Sequence, residues 1–209
     1  MTDILGMLRH VHREVGRREL HGADCRTVVL RRDYDAPIDD VWDAITDPDR
    51  IGRWFLPVTG ELKLGGTYQL EGNAGGEILR CEPPRLLAVT WLFGPDPGIS
   101  EVEVRLSPDG DERTRLELEH AAVVDDDRWQ EFGPGAVGVG WDMIVLGLGL
   151  HLTGGMMADP EAWSVSEEGR RYATDSSAAW GGALRASGAD DAHVANAVEN
   201  TTRFYAPPA

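Results

Sequence analysis

His120 ends the run Leu116-Glu117-Leu118-Glu119-His120, in which apolar and charged residues alternate, so its imidazole falls on the dry side of a strand. Inside a cavity an imidazole could act as a general acid or base; the plainer alternative is a core histidine satisfied by internal hydrogen bonds. Arg32 and Tyr34 share a strand face with Val28 and Leu30, and either could anchor a polar ligand group. Alternation alone leaves open whether that face meets a cavity. Trp42, Trp54, Phe55, Tyr68, Trp91 and Trp141 concentrate in the central region, where such rings line pockets or fill cores. His10 and His12 lie two apart on an expected helix and cannot share a metal ion, so no metal site is expected. Gly133-Pro134-Gly135-Ala136-Val137-Gly138 has the spacing of a dinucleotide fingerprint but follows an acidic loop instead of a strand, which makes it a flexible lead into a packed helix. No Ser, His and Asp arrangement has the context of an activated nucleophile, and no cofactor is implied.

The elements that must position these residues follow from periodicity. Ile4, Leu8, Val11 and Val15 recur at helical spacing after Thr2 and Asp3, which can cap, so residues 1–24 are expected to form a helical extension. Thr27 to Tyr34 reads as a strand. Pro37 then starts a helix carrying Val41, Trp42 and Ile45, and Asp47-Pro48 opens another that ends near Trp54. From Val58 to His120, short strands alternate with turn residues such as Gly65-Gly66, Pro83-Pro84, Pro95 to Gly98 and Pro108-Asp109-Gly110, the pattern of an antiparallel meander. Val102, Val104 and Leu106 oppose Glu101, Glu103 and Arg105, giving that sheet one dry and one wet face.

Asp125 to Asp127 reads as a solvated turn before Ala136 to Leu152, the most apolar segment, with only Asp142 and His151 ionisable. It is shorter than the roughly 20 apolar residues of a membrane span, lacks basic flanks and carries recurrent glycines, so a buried soluble helix is expected. Gly138, Asp142 and Gly149 form one narrow stripe on it, while Gly140 and Gly147 share a face with Met143 and Ile144. Glycine costs a helix interior about 1 kcal/mol relative to alanine, so that second face needs space, either for a ligand or for close backbone packing. The apolar arc is too wide for a sheet alone to cover. Residues 156–209 are therefore expected to pack on it, as a helix from Asp159-Pro160 carrying Val165, Tyr172, Ala173, Ser176 and Trp180 and a second helix capped by Asp190.

Of the 209 residues, 42% are hydrophobic and 27% charged, ordinary globular values, and the net charge of −16 repels nucleic acid and anionic lipid headgroups. Cys25 and Cys81 match no redox or metal spacing and read as reduced thiols; with no apolar leader in residues 1–20, a cytoplasmic location is expected.

Asp35-Ala36-Pro37 through Val41-Trp42-Asp43-Ala44-Ile45-Thr46-Asp47-Pro48, then Trp54-Phe55, Gly65-Gly66-Thr67-Tyr68, Glu82-Pro83-Pro84-Arg85-Leu86 ending at Trp91, and Gly140-Trp141-Asp142 stand in an order that resembles the family homologous to activators of the heat-shock-protein-90 ATPase, within the START-like SRPBCC superfamily. The resemblance implies an α+β helix-grip fold over residues 25–155, in which a curved antiparallel sheet wraps a long helix around an elongated apolar cavity. Trp54, Phe55, Tyr68, Trp91, Leu118, His120, Gly140, Trp141, Met143, Ile144 and Gly147 are the expected cavity residues. The expected activity is binding of an apolar or aromatic small molecule, as a carrier or sensor, with no nucleic-acid partner and no membrane insertion; a homodimer is compatible with the sequence. An alternative is a cyclase or aromatase in which Arg32, Tyr68 and His120 move protons, and a cochaperone-like module ranks third.

Overall fold

The computed structural model describes residues 3–95 and 98–207. Thr2 and part of the turn expected at Pro95 to Gly98 lie outside the described residues. Strands β1 (His12–Leu20), β2 (Ala23–Tyr34), β3 (Val58–Gly60), β4 (Thr67–Leu70), β5 (Gly75–Glu82), β6 (Leu86–Thr90), β7 (Ser100–Pro108) and β8 (Thr114–Ala122) form one antiparallel sheet. Their order is β1-β2-β8-β7-β6-β5-β4-β3, so β3 to β8 are the expected meander and β2 closes onto its last strand. The helices are α1 (Ile4–Arg9), α2 (Ile38–Thr46), α3 (Pro48–Trp54), α4 (Asp126–Phe132), α5 (Gly135–Leu152), α6 (Pro160–Val165), α7 (Glu167–Ala186) and α8 (Asp191–Tyr205).

Register turns alternation into two faces. Leu30, Leu118 and Val104 stand side by side across β2, β8 and β7, as do Val28, His120 and Val102, and these residues face α5. On the opposite face the charges form a cross-strand chain. Arg31 bonds Glu14 and Glu117, Arg105 pairs with Glu117 and Glu103, and Arg80 pairs with Glu103 and Glu82. Each link is worth at most about 1 kcal/mol in solvent, but together they span the sheet from β1 to β5 in one register.

Helix α5 is apolar all round because protein covers it on both sides. Its Trp141, Ile144, Val145 and Leu148 face the sheet, while Leu146 and Leu150 join Leu8 of α1 and Tyr172 of α7 in a second apolar cluster. Gly138 lies under the Trp180 ring, where an added Cβ would stand 2.3 Å from a ring carbon, and Gly135 lies under Thr201 of α8. The stripe is thus the seat of the C-terminal helices at its N-terminal end, while Gly149 at its other end admits Arg32 of β2 and Met7 of α1. In its middle Asp142, fully buried, accepts two hydrogen bonds from Arg13 of β1 at 3.0 Å, one from Ser176 at 2.5 Å and one from Trp180 at 3.1 Å.

Four local expectations are corrected. The N-terminal helix stops at Arg9, and residues 12–20 are the edge strand β1, so the sheet begins before residue 25 and the segment 1–24 is not a helical extension. Val11 and Val15 are four apart, a spacing compatible with a helix face and equally with one side of a strand. The hairpin is set by His21 and Gly22, both with positive φ (52° and 81°), the two-residue turn that matches strand twist. Asp125 is not in a solvated turn; its carboxylate caps α4 by accepting from Arg128 N. The helix expected from Asp159 breaks at Ser166, which caps α7, and Val165 is exposed instead of sharing the buried face of Tyr172.

Candidate functional site

Between α5 and the sheet lies a cavity of about 210 Å³. One wall is the α5 face of Trp141, Ile144, Val145 and Leu148, spaced i, i+3, i+4 and i+7. The opposite wall comes from alternate residues of four strands, Leu116 and Leu118 of β8, Val102 and Val104 of β7, Leu87 and Val89 of β6, and Tyr68 and Leu70 of β4, together with Ile78 and Cys81 of β5, which a register shift between Ile78 and Arg80 brings to the same side. The ends of α2 and α3 close it with Ile45, Thr46, Ile51, Trp54 and the following Phe55. Its rim is the loop after β3, which brings Leu62 and Lys63, both solvent-exposed, beside the exposed Cys81.

Four polar groups on these walls have internal partners, whereas the Trp91 indole N–H has none among the described residues. The Tyr68 hydroxyl donates to Thr90 O (2.8 Å), the Trp54 indole to Ala44 O (2.9 Å), the Trp141 indole to His120 Nδ1 (3.1 Å) and the Thr46 hydroxyl to Trp42 O (2.7 Å). Burial pushes the Tyr68 phenol up, so it stays neutral at physiological pH. The rings pack against one another, with Trp91 4.9 Å from Trp141 and 6.4 Å from Tyr68, and Trp54 stacked on Phe55 at 5.7 Å. Such a chamber solvates apolar surface well and offers a buried polar group few partners.

His120 does not line the cavity. It stands behind Trp141, 7% exposed, with Ser100 Oγ 2.8 Å from Nε2. An indole N–H can only donate, so Nδ1 is the unprotonated nitrogen and Nε2–H donates to Ser100. Burial pushes its pKa down to about 4. The unfolded chain therefore takes up a proton below pH ~6.5 that the folded chain refuses until about pH 4, and stability falls across that interval by up to about 3 kcal/mol. His120→Gln can accept from Trp141 and donate to Ser100 without titrating. Urea unfolding at pH 7 and pH 4.5 should show a smaller acid loss in the variant than in the wild type. An equal loss in both would exclude His120 as the source.

The other expected site residues divide cleanly. Trp54, Phe55, Tyr68, Trp91, Leu118, Trp141 and Ile144 line the cavity; Met143, Gly140, Gly147 and Arg32 do not. A Cβ on Gly147 would stand 3.1 Å from Trp54 O, so that glycine lets the end of α3 approach α5, whereas a Cβ on Gly140 would meet the Tyr205 hydroxyl at 3.5 Å, an ordinary contact. Arg32 is on the sheet's inner face but spends its Nη1 on Val145 O (3.1 Å), which also accepts from the Tyr34 hydroxyl (2.9 Å). Both fasten β2 to α5. The sequence reading missed the aliphatic lining from β5, β6 and β7 and the rim pair Lys63 and Cys81. Alternation marked the β7 residues as dry; nothing local marked the rim. Among the described residues no group of three His, Cys, Asp or Glu side chains is placed to hold a metal ion.

The architecture and sequence recur in known proteins. CalU16 from Micromonospora echinospora is 42% identical, its crystal structure matching with a TM-score of 0.70 over 83% of this chain and 98% of that one. The solution structure of CalU16 gives 0.71 at 40% identity, covering 85% and 96%. MLL2253 from Mesorhizobium loti is 25% identical, with a TM-score of 0.54 over 62% of this chain and 97% of that one. No curated protein matches the chain by sequence. The model of the Activator of Hsp90 ATPase homolog 1-like protein family matches residues 35–150, from the turn before α2 through nearly the whole of α5, and the chain belongs to that family.

Proposed function

We propose that this chain is a cytoplasmic binding protein, a carrier or sensor, that holds one small apolar or aromatic molecule between α5 and the sheet. The observation that carries this reading is the chamber itself, walled by apolar and aromatic side chains, with the polar atoms of Trp54, Tyr68 and Trp141 already bonded within the protein. A dry engineered cavity of about 150 Å³ takes up benzene. The 210 Å³ here suits a substituted single ring or a short alkyl chain. Binding is favoured over proton-transfer catalysis because Arg32 and His120, two of the three groups such chemistry would use, lie outside the chamber, and the Tyr68 hydroxyl is committed to Thr90 O. Native mass spectrometry of freshly purified protein tests the reading directly. A retained small molecule, or uptake of an uncharged naphthalene probe that saturates at one per chain, is expected. No uptake of any apolar probe would overturn it.

The rim provides an independent reporter. Cys25 is fully buried and Cys81 is exposed at the mouth. Ellman's reagent should titrate one thiol in the native protein and two in denaturant, and a saturating apolar ligand should slow the native reaction several-fold. Unchanged reactivity in the presence of bound ligand would place that ligand elsewhere.

A further inference from the structure

We infer that the ligand is amphipathic with an anionic head, its apolar body in the chamber and a carboxylate or comparable acid held at the rim by Lys63. This rests on the binding reading above and adds to it the charge and the orientation of the ligand. Three observations converge on it. First, the Trp54, Tyr68 and Trp141 donors are spent on internal acceptors, so a charged head inside would lose its hydration with at most the Trp91 indole N–H to replace it, and the mouth is the better place for it. Second, among the described residues Lys63 is the one ionisable base on the cavity wall. Third, Lys63 is the only lysine in the chain, all nineteen other Lys and Arg positions being arginine, so the mouth carries the chain's single flexible ammonium.

The side chain is exposed on a fixed base. Its loop is pinned by Glu61 N to Thr67 O (2.8 Å), Gly66 N to Lys63 O (2.8 Å) and the reciprocal pair Gly65 N to Ile78 O (2.8 Å) and Ile78 N to Gly66 O (2.9 Å). Gly66 is required there, since a Cβ would stand 2.0 Å from Glu61 O. The ammonium has one partner, Glu61 at 3.0 Å, and both side chains are 71% exposed. A pair so exposed contributes little and yields readily to a ligand carboxylate whose body is already anchored alongside. Leu62 and Leu64 flank Lys63 and are exposed, which leaves apolar surface for the upper part of the ligand.

Phenylbutyrate, phenylbutanamide and phenylbutylamine, with octanoate, octanamide and octylamine as alkyl counterparts, present the same bodies with negative, neutral and positive heads. By calorimetric titration at low salt the acid should bind about fivefold tighter than the amide, with the amine weakest. Lys63→Gln should remove the preference for the acid, Lys63→Arg should retain it, and added salt should erode it. Reductive methylation with isotope-labelled formaldehyde marks Lys63 as the sole side-chain amine, and its NMR signal should move with the acid and stay still with the amide. Equal affinity for acid and amide, or an acid preference that survives in Lys63→Gln, overturns the anionic head and leaves the cavity reading standing. Failure of all six compounds to bind wild type overturns both.

Discussion

Arg13→Ala is expected to lower unfolding stability by roughly 3–5 kcal/mol, measured by urea denaturation at neutral pH. The Arg13 side chain is 6% exposed and its Asp142 partner 0%, and the guanidinium meets both carboxylate oxygens at 3.0 Å. Removing the cation leaves an anion in the interior, supported only by Ser176 and Trp180, which are neutral. Asp142 sits where β1, α5 and α7 meet, so the loss should also loosen the docking of α7 on the long helix. The double variant Arg13→Met with Asp142→Leu removes both charges and should recover much of the deficit, so that the two single costs sum to more than the double. Arg171→Ala is the control, since it breaks an exposed pair with Asp175 one turn away and should cost no more than about 0.5 kcal/mol. A cost for Arg13→Ala as small as the control's would show that the buried pair does not hold these elements together.

Ile144→Trp is expected to abolish uptake of the naphthalene probe, weakening binding at least tenfold, while the protein keeps its fold. Ile144 is half-buried and points from α5 into the chamber, so the larger side chain has empty space to enter. In a fully packed core the same enlargement would cost about 1–3 kcal/mol. Here the melting temperature should fall by less than that cost implies, because the indole gains wall contacts that the empty chamber lacks. Leu118→Trp approaches from the sheet side and provides the same test should the first variant fold poorly. Undiminished probe binding in both well-folded variants would remove the chamber as the binding site. By contrast Gly147→Leu, beside Trp54 O, should destabilise without entering the cavity.

Much of this fold is written in short stretches of sequence. Alternation in β7 and β8 separated the dry face from the wet one, Asp47-Pro48 and Asp190 marked helix starts that capping hydrogen bonds realise, and the family pattern of residues 35–150 required a sheet gripping a long helix. The alternation and the caps are local signals, each depending on residues within one or two turns. What the tertiary structure alone decided is what lies against what. Arg13 and Asp142 are 129 residues apart, and neither pattern nor composition pairs them. Val11 and Val15 fit a helix or a strand until β2 offers a partner at an edge. The wide apolar arc of α5 required covering on both sides but could not say that Gly138 belongs to Trp180, Gly147 to Trp54 and Ile144 to the cavity. Periodicity sets which residues share a face, whereas the neighbour on that face is chosen by long-range packing, and at Lys63, on a loop with no period at all, only the folded sheet brings the chain's single lysine to the mouth of the chamber.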